Sequence, residues 1–163
     1  MKLLYIVRHA KAQHDAETSK DFDRALTESG INDAYAMSKY LYAHADRPDI
    51  LLTSSAKRTL QTAEIFAETF GKPVDEIIFI SALYHAQPEV FYEVISALPD
   101  NLNAVAIFSH NPGINYFVNS LNTKVQVDNM PTCAIFAIEA DITQWAGFSK
   151  AKKECLFFEY PRK

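Results

Sequence analysis

The sequence contains no long apolar run and no block of like charges. No stretch approaches the roughly 18 apolar residues that a helix needs to cross a bilayer, so we expect no contact with membranes. The net charge is −4 and no five like charges are consecutive, so the basic footprint of a nucleic-acid-binding protein is missing. Neither a membrane nor a nucleic acid is therefore an expected partner.

Cysteines are scarce as well. The chain has two, Cys133 and Cys155, and neither belongs to a CxxC pair or a Cys/His cluster. The apolar segment near the N-terminus is too short for a signal-peptide core and has no small-residue cleavage pattern, so we expect a cytoplasmic protein. A disulfide between the cysteines is geometrically possible, but the reducing cytoplasm favours two buried free thiols.

Repeats, low-complexity segments and Gly/Ser linkers are also missing, so we expect residues 1–163 to form a single domain. Short β-rich runs alternate with helical patterns. This alternation predicts an α/β fold in which a mostly parallel sheet carries helices on both faces, as a three-layer α/β/α sandwich. The predicted strands are residues 2–7, 50–53, 77–80, 104–108, 133–138 and 155–159. The unassigned stretches 10–26 and 122–132 are either functional loops or surface excursions.

Four helices are predicted, beginning near residues 27, 55, 88 and 112. Thr27 is the expected N-cap of the first helix, and a serine of the Ser54-Ser55 pair is the expected N-cap of the second. Asn111 is the expected N-cap of the fourth helix, with Pro112 at its first helical position. These caps place the start of two helices directly after predicted strands.

Basic side chains follow three of the predicted strands. The first strand runs directly into Arg8 and His9, and His110 follows the fourth strand. Because ligands of open α/β sheets bind outside the carboxyl ends of the strands, these residues lie where catalytic groups are expected. Arg58 falls in the first turn of the second helix, where the helix dipole disfavours a cation. Either a phosphate bound at the start of that helix compensates for this unfavourable charge, or Arg58 reaches solvent or pairs with Glu64 or another acid.

The order of these motifs resembles the histidine phosphatase superfamily, the phosphoglycerate-mutase-like enzymes. The matching residues are Arg8-His9, Arg58 within the segment 54–63, and His110 within the segment 109–112. Residues 8–12, 23–27 and 129–134 are similar to the SixA-type phosphohistidine phosphatases, so the resemblance covers nearly the whole chain. It implies a phosphoglycerate-mutase-like fold and a phosphatase that needs no metal and no other cofactor.

The resemblance also implies a role for each of the four basic residues. His9 would be the nucleophile, which attacks phosphorus and forms a covalent phosphohistidine that water then hydrolyses. Arg8 and Arg58 would bind the non-bridging phosphate oxygens and disfavour protonation of His9. His110 would add a proton-bearing donor to the transferring phosphoryl group.

Further substrate-binding candidates surround this set. Lys11 stands where the broad superfamily often has a glutamate, and it either adds positive potential or is solvated. Arg24 matches the arginine before the Leu-Thr pair of the SixA branch, and we expect it to be an extra basic group at the site. Asn111 follows His110 directly. His85 is either a weak acid or an exposed loop histidine.

The leaving group of the substrate is indicated by a missing carboxylate. Larger family members carry a general acid in the loop after the third strand, whereas residues 81–88 contain no carboxylate and Glu89 lies inside the next predicted helix. An alkoxide leaves poorly without a proton, while an imidazole can be protonated near pH ~6.5 and leave as a neutral base. The sequence therefore favours phosphoramidate substrates.

We expect an enzyme that removes phosphate from phosphohistidine on a signalling protein of the histidine-phosphotransfer type. The alternatives are a broad-specificity phosphatase of small phosphate esters and a non-catalytic phosphate-binding module. His14 and Asp15 are adjacent rather than spaced as ligands, so no metal site is expected there.

Overall fold

A six-stranded sheet forms the centre of the protein, and the computed structural model describes residues 1–14 and 20–162. The strand order is β3-β2-β4-β1-β5-β6. Only β5 runs against its neighbours, so the sheet is mostly parallel, as predicted. The strands are β1 Lys2–Arg8, β2 Ile50–Thr53, β3 Ile78–Phe79, β4 Ala104–Ser109, β5 Ile135–Ala140 and β6 Lys153–Glu159.

Helices cover both faces of the sheet, which confirms the three-layer α/β/α sandwich. The helices are α1 Glu28–His44, α2 Lys57–Phe70, α3 Pro88–Ser96 and α4 Gly113–Ser120. Alternate side chains of β1 divide between two buried clusters: Tyr5 packs with residues of α1 and α2, and Leu4 packs with residues of α3 and α4. This alternation is the period of two that a strand buried on both faces requires.

The predicted caps have mixed outcomes. Thr27 caps α1 as expected, because its side chain accepts a hydrogen bond from the backbone N–H of Gly30. The expected serine cap of α2 is wrong: the N-cap is Ala56, and the side chain of Ser54 faces a histidine. Gly71, in the left-handed conformation that glycine tolerates, ends α2.

The expected Asn111 cap of α4 is also wrong. The N-cap is Pro112, and the helix begins one residue later, at Gly113. The amide of Asn111 instead donates hydrogen bonds to Asn129 and to the carbonyl oxygen of Met130. Both misassigned caps are polar side chains that the structure uses near the sheet edge rather than on the helix.

The register of the sheet brings three chain segments to one edge. Arg8 of β1 pairs with Ser109 of β4, and Thr53 of β2 pairs with Phe108. The residues that follow these strand ends therefore lie side by side. Strand β4 is buried at every residue and β1 at five of seven, which makes this edge a rigid platform.

Two other expectations concern cysteines and membranes. Both cysteines are free; Cys133 is buried as expected, whereas Cys155 on the edge strand β6 is only half-buried. Within the two described ranges, no helix has the length and apolar character that crossing a bilayer requires.

Candidate active site

His9 follows β1 directly and is 6% exposed. Its Nδ1 lies 2.7 Å from the carbonyl oxygen of Ala10. Because a carbonyl can only accept, Nδ1 carries the proton and Nε2 keeps its lone pair. Burial, together with the positive charges of Arg8 and Arg58, lowers the pKa of His9 to about 3, against an opposing effect of the hydrogen bond to Ala10. The ring is therefore neutral at physiological pH, with Nε2 available as a nucleophile.

Three parts of the fold hold the backbone around His9. Its N–H donates to the carbonyl oxygen of Ser109 at 3.2 Å, and its own carbonyl oxygen accepts from the N–H of Cys133 at 2.9 Å. The N–H of Ala10 donates to the hydroxyl oxygen of Thr62 on α2 at 3.0 Å. The segment 129–134, which carried part of the family resemblance, thus helps to fix the orientation of the histidine.

Arg8 and Arg58 each have a buried Nε without a hydrogen-bond partner. Nη1 of Arg8 donates to the carbonyl oxygen of Met130 at 2.9 Å, and Nη1 of Arg58 donates to the carbonyl oxygen of Asp21 at 2.8 Å. Nη2 of Arg58 forms a 3.2 Å ion pair with the carboxylate of Asp21. Of the alternatives given for Arg58, the ion pair with an acid is the one observed, and that acid is Asp21 rather than Glu64. Arg58 is 5% exposed, so it does not reach solvent.

His110 lies beside His9, with the two ring centroids 5.4 Å apart. Its Nε2 is 2.8 Å from the hydroxyl oxygen of Ser54, which also accepts from the N–H of Ala56. When the hydroxyl donates to Nε2, both of its functions are satisfied and His110 carries its proton on Nδ1. Burial lowers the pKa of His110 to about 2, with Arg58 contributing in the same direction. We assign His110 as a neutral ring with an Nδ1–H donor.

Four buried side-chain atoms of the described residues have no hydrogen-bond partner: Arg8 Nε, Arg58 Nε, His110 Nδ1 and Asn111 Oδ1. All four belong to the residues gathered at this edge of the sheet. Three of them are N–H donors in the protonation states assigned above. Unpaired buried donors are costly, and a tetrahedral oxyanion is the partner that converging arginine and histidine N–H groups suit.

The other candidate residues occupy different places. Arg24 donates to the carboxylate of Asp21 at 3.2 Å, and its charge contributes to lowering the pKa of His9, so it lies near the four basic residues. His85 is exposed and stacks on Tyr84 at 4.1 Å. Lys11 is exposed, and the contact that the structure records for it is its backbone carbonyl bonded by Thr27.

Asn111 touches the set through a shared acceptor. Its amide nitrogen donates to the carbonyl oxygen of Met130 at 3.0 Å, the same oxygen that binds Arg8. Its remaining Oδ1 is a buried acceptor. Asn111 therefore orients the segment that holds Arg8 rather than capping a helix.

Sequence reasoning missed Asp21 and Tyr84. The carboxylate of Asp21 pairs with Arg58, and the hydroxyl of Tyr84 donates to the same carboxylate at 2.5 Å. The loop after the third strand, residues 81–88, contains no carboxylate, whereas Asp21 lies in the stretch 10–26, to which the sequence assigned no element. A signal was present: Asp21 stands three residues before Arg24, on the 3-10 turn Asp21–Asp23.

Across residues 1–14 and 20–162, no group of three or more histidine, cysteine, aspartate or glutamate side chains is placed to hold a metal ion. His14 is exposed, and Asp15 lies outside the described residues.

Comparisons with known proteins agree with this geometry. Residues 4–78 match the family model of the histidine phosphatase superfamily (branch 1). No curated protein sequence matches the chain.

Among solved structures, the fold is similar to SixA from Agrobacterium tumefaciens, at 25% identity and a TM-score of 0.83 over 99% of both chains. It is similar to SixA from Nakamurella multipartitia at 22% identity and a TM-score of 0.84, over 98% of this chain and 96% of that one. It is also similar to the protein histidine phosphatase SixA complexed with tungstate, at 22% identity and a TM-score of 0.80, over 97% and 96%. The family match over residues 4–78, the SixA-like fold and the four basic side chains at the sheet edge together support a phosphatase that is similar to the histidine phosphatase superfamily.

Proposed function

We propose that this phosphatase removes phosphate from phosphohistidine through a covalent intermediate on His9. The observation that carries the proposal is a neutral, buried His9 whose Nε2 lone pair is kept available by the Nδ1 bond to Ala10. Arg8 and Arg58 lie close enough for their charges to act on that ring, and each has an unpartnered Nε. A nucleophile surrounded by oxyanion donors is the arrangement that phosphoryl transfer to nitrogen requires.

In the first step, Nε2 of His9 attacks phosphorus while the bond from phosphorus to the substrate nitrogen breaks. The N–H groups of Arg8 and Arg58 bind the non-bridging oxygens, and Nδ1–H of His110 adds a further donor. The fixed positions of these groups stabilise the charge of the transferring phosphoryl group. In the second step, water attacks phosphorus, the electron pair returns to Nε2 of His9, and inorganic phosphate leaves.

The substrate that we propose is a phosphohistidine carried by a cytoplasmic signalling protein of the histidine-phosphotransfer type. Residues 81–88 supply no carboxylic acid that could protonate an alkoxide, whereas an imidazole leaves as a neutral base once it is protonated. The donors come entirely from side chains, so we propose that the reaction needs neither metal nor cofactor, and that residues 1–163 act as one domain.

The substrate class is tested by comparing phosphoimidazole with glycerol 3-phosphate, an alkyl ester whose alkoxide needs a proton to leave, in the presence of a chelator. We expect kcat/KM to be at least about tenfold higher for phosphoimidazole, because its leaving group accepts a proton from solvent. A phosphorylated histidine-phosphotransfer domain should be dephosphorylated under the same conditions. A preference for the ester would contradict the proposal and favour a phosphatase of small phosphate esters.

The nucleophile is tested by the substitution His9→Ala. Turnover of phosphoimidazole should fall by a factor on the order of 10⁴ or more, because the covalent route is lost. Radiolabelled phosphate should be trapped on the wild-type protein and on the control His14→Ala, whose histidine is exposed, but not on His9→Ala. Labelling that persists in a folded His9→Ala protein would assign the nucleophile to another residue. Failure of the wild type to acquire label or to release phosphate would support a non-catalytic phosphate-binding module.

A further inference from the structure

Asp21 brings a carboxylate to the edge of the site that the mechanism above does not use. Its Oδ2 accepts hydrogen bonds from Nη2 of Arg58 at 3.2 Å and from the hydroxyl of Tyr84 at 2.5 Å. Its Oδ1 accepts from Nε of Arg24 at 3.2 Å. The side chain of Asp21 is 42% exposed, whereas that of Arg58 is 6% exposed. Asp21 therefore lies between the buried guanidinium of Arg58 and solvent.

Asp21 is an anion at neutral pH. The hydrogen bond from Tyr84 and the positive charges of Arg58 and Arg24 hold its pKa below the ordinary value, against a smaller opposing effect of burial. His110 is the remaining titratable group whose electrostatic interaction with Asp21 is recorded. An ionised carboxylate has no proton to give to an ester oxygen. It can, however, accept a hydrogen bond from an N–H group of a cationic leaving group.

A cluster of aromatic rings lies next to this carboxylate. The ring of Tyr84 packs edge-on to His110 at 5.5 Å and lies 5.9 Å from the guanidinium of Arg58. Phe22 packs edge-on to Tyr84 at 5.4 Å, and His85 stacks on it at 4.1 Å. Phe22 and His85 are exposed. A planar ring bound to phosphorus thus finds aromatic surface and a carboxylate at the same place.

The bond to Asp21 leaves Arg58 able to bind phosphate. A guanidinium carries five N–H donors, and Asp21 takes two of them through its carbonyl and carboxylate oxygens. The Nε of Arg58 remains buried without a partner. One guanidinium can therefore contact the phosphoryl oxygens and Asp21 at the same time.

We propose that Asp21 is a further catalytic residue. Its carboxylate accepts a hydrogen bond from the N–H of the substrate's imidazolium ring and so keeps that ring protonated while the P–N bond breaks. This role rests on the proposed phosphohistidine phosphatase activity. The ring first takes a proton from water on the nitrogen that does not carry phosphorus. Nε2 of His9 then forms its bond to phosphorus, and the electron pair of the breaking P–N bond remains on the ring. The imidazole departs neutral, with its N–H still directed at Asp21.

An ionised Asp21 therefore selects the leaving group. A nearby anion raises the pKa of a bound imidazole and so increases the fraction that is ready to leave. The same anion gives no help to an alkoxide, and p-nitrophenolate departs without a proton. The carboxylate should matter for substrates with a P–N bond and be nearly indifferent for aryl esters.

The test compares Asp21→Asn with Asp23→Asn, a matched control on an exposed residue of the same 3-10 turn. At pH 8, Asp21→Asn should lower kcat for phosphoimidazole roughly 10- to 100-fold. It should change kcat for p-nitrophenyl phosphate by less than about threefold, because that leaving group needs no proton. Asp23→Asn should leave both substrates unaffected.

The pH profile and tungstate inhibition separate a chemical role from a structural one. The alkaline limb of kcat for phosphoimidazole should move to lower pH by about one unit in Asp21→Asn, because kcat reports the bound complex and the anion that raised the ring's pKa is gone. Inhibition by tungstate should persist, showing that the phosphate donors remain in place. Equal losses on both substrates with an unmoved pH limb would show that Asp21 only positions Arg58, which would overturn the inference.

Failure of the proposed function would look different. A wild-type preference for glycerol 3-phosphate over phosphoimidazole contradicts the phosphohistidine substrate before any variant is made. A wild-type preference for phosphoimidazole that Asp21→Asn reduces no more than it reduces the aryl ester leaves the function intact and overturns the role of Asp21 alone.

Discussion

The site has two regions that differ in how they are built. The site floor consists of Arg8, His9, Arg58 and His110, and the site rim consists of Asp21, Phe22, Arg24, Tyr84 and His85. Floor residues follow strand ends or sit in the first turn of α2, and they are buried or half-buried. Rim residues lie in the 10–26 stretch and in the loop between β3 and α3, and they are half-buried or exposed. We infer that the floor supplies phosphoryl transfer chemistry and the rim selects the leaving group.

The largest expected contrast comes from the floor, through Arg58→Ala. The substitution removes a buried oxyanion donor and a charge that keeps His9 neutral, so kcat/KM should fall by about 10²- to 10³-fold. The loss should be similar for phosphoimidazole and for p-nitrophenyl phosphate, because both transfer the same phosphoryl group.

Arg58→Lys sharpens this result, since lysine keeps the positive charge but lacks the planar fork. It should recover only part of the lost activity. A large loss restricted to phosphoimidazole would show that Arg58 acts on the leaving group, as the rim residues do, and would contradict the division between floor and rim. Steady-state kinetics on both substrates, with thermal unfolding as the folding control, make the measurement.

The same division explains how much was readable in the sequence. Arg8 and His9 follow the apolar run of β1 directly, and His110 follows the apolar run of β4 after one serine, so the strand pattern alone placed them at one edge, and the structure brings them together. The six strands, with bounds within two residues of those observed, and the cap at Thr27 were predicted for the same reason, because local periodicity and capping chemistry decide them. Rim residues have no such pattern.

Asp21 reaches Tyr84 across 63 positions of sequence, and no local rule predicts that contact. Ser54 and Asn111 do not cap helices for a related reason. Their side chains form hydrogen bonds with His110 and with the carbonyl oxygen of Met130, and only the folded chain brings these residues together. Tertiary contacts overrode the local preference in both cases.

The floor should also be a site of acid sensitivity. His9 and His110 have folded-state pKa values of about 3 and about 2, whereas an unfolded histidine titrates near ~6.5. Below pH ~6.5 the unfolded chain binds more protons than the folded one, so the free energy of unfolding falls as the pH falls. Each histidine contributes up to about 1.4 kcal/mol per pH unit, and the pair should cost about 4 kcal/mol between pH 7 and pH 5.

Denaturant unfolding at several pH values checks this sign and size. The double variant His9→Gln/His110→Gln should flatten the pH dependence between 7 and 5, whatever its absolute stability. His14→Gln, at an exposed position, should keep the wild-type slope. A double variant with the full wild-type slope would mean that neither histidine is held neutral by the fold, and the floor would lose its buried nucleophile.

The smallest expected effect comes from two cations at the edge of the site. Arg24→Ala removes an ion pair to Asp21 and a charge that contributes to keeping His9 neutral, so kcat/KM should fall about three- to fivefold, the size expected for a partly exposed pair. Lys11→Ala should change kcat/KM by less than about twofold, because this exposed side chain contacts none of the floor residues in the described structure. Equal effects of the two substitutions would show that Arg24 contributes only its positive charge and not its contact with Asp21. Arg24 would then have no role in selecting the leaving group.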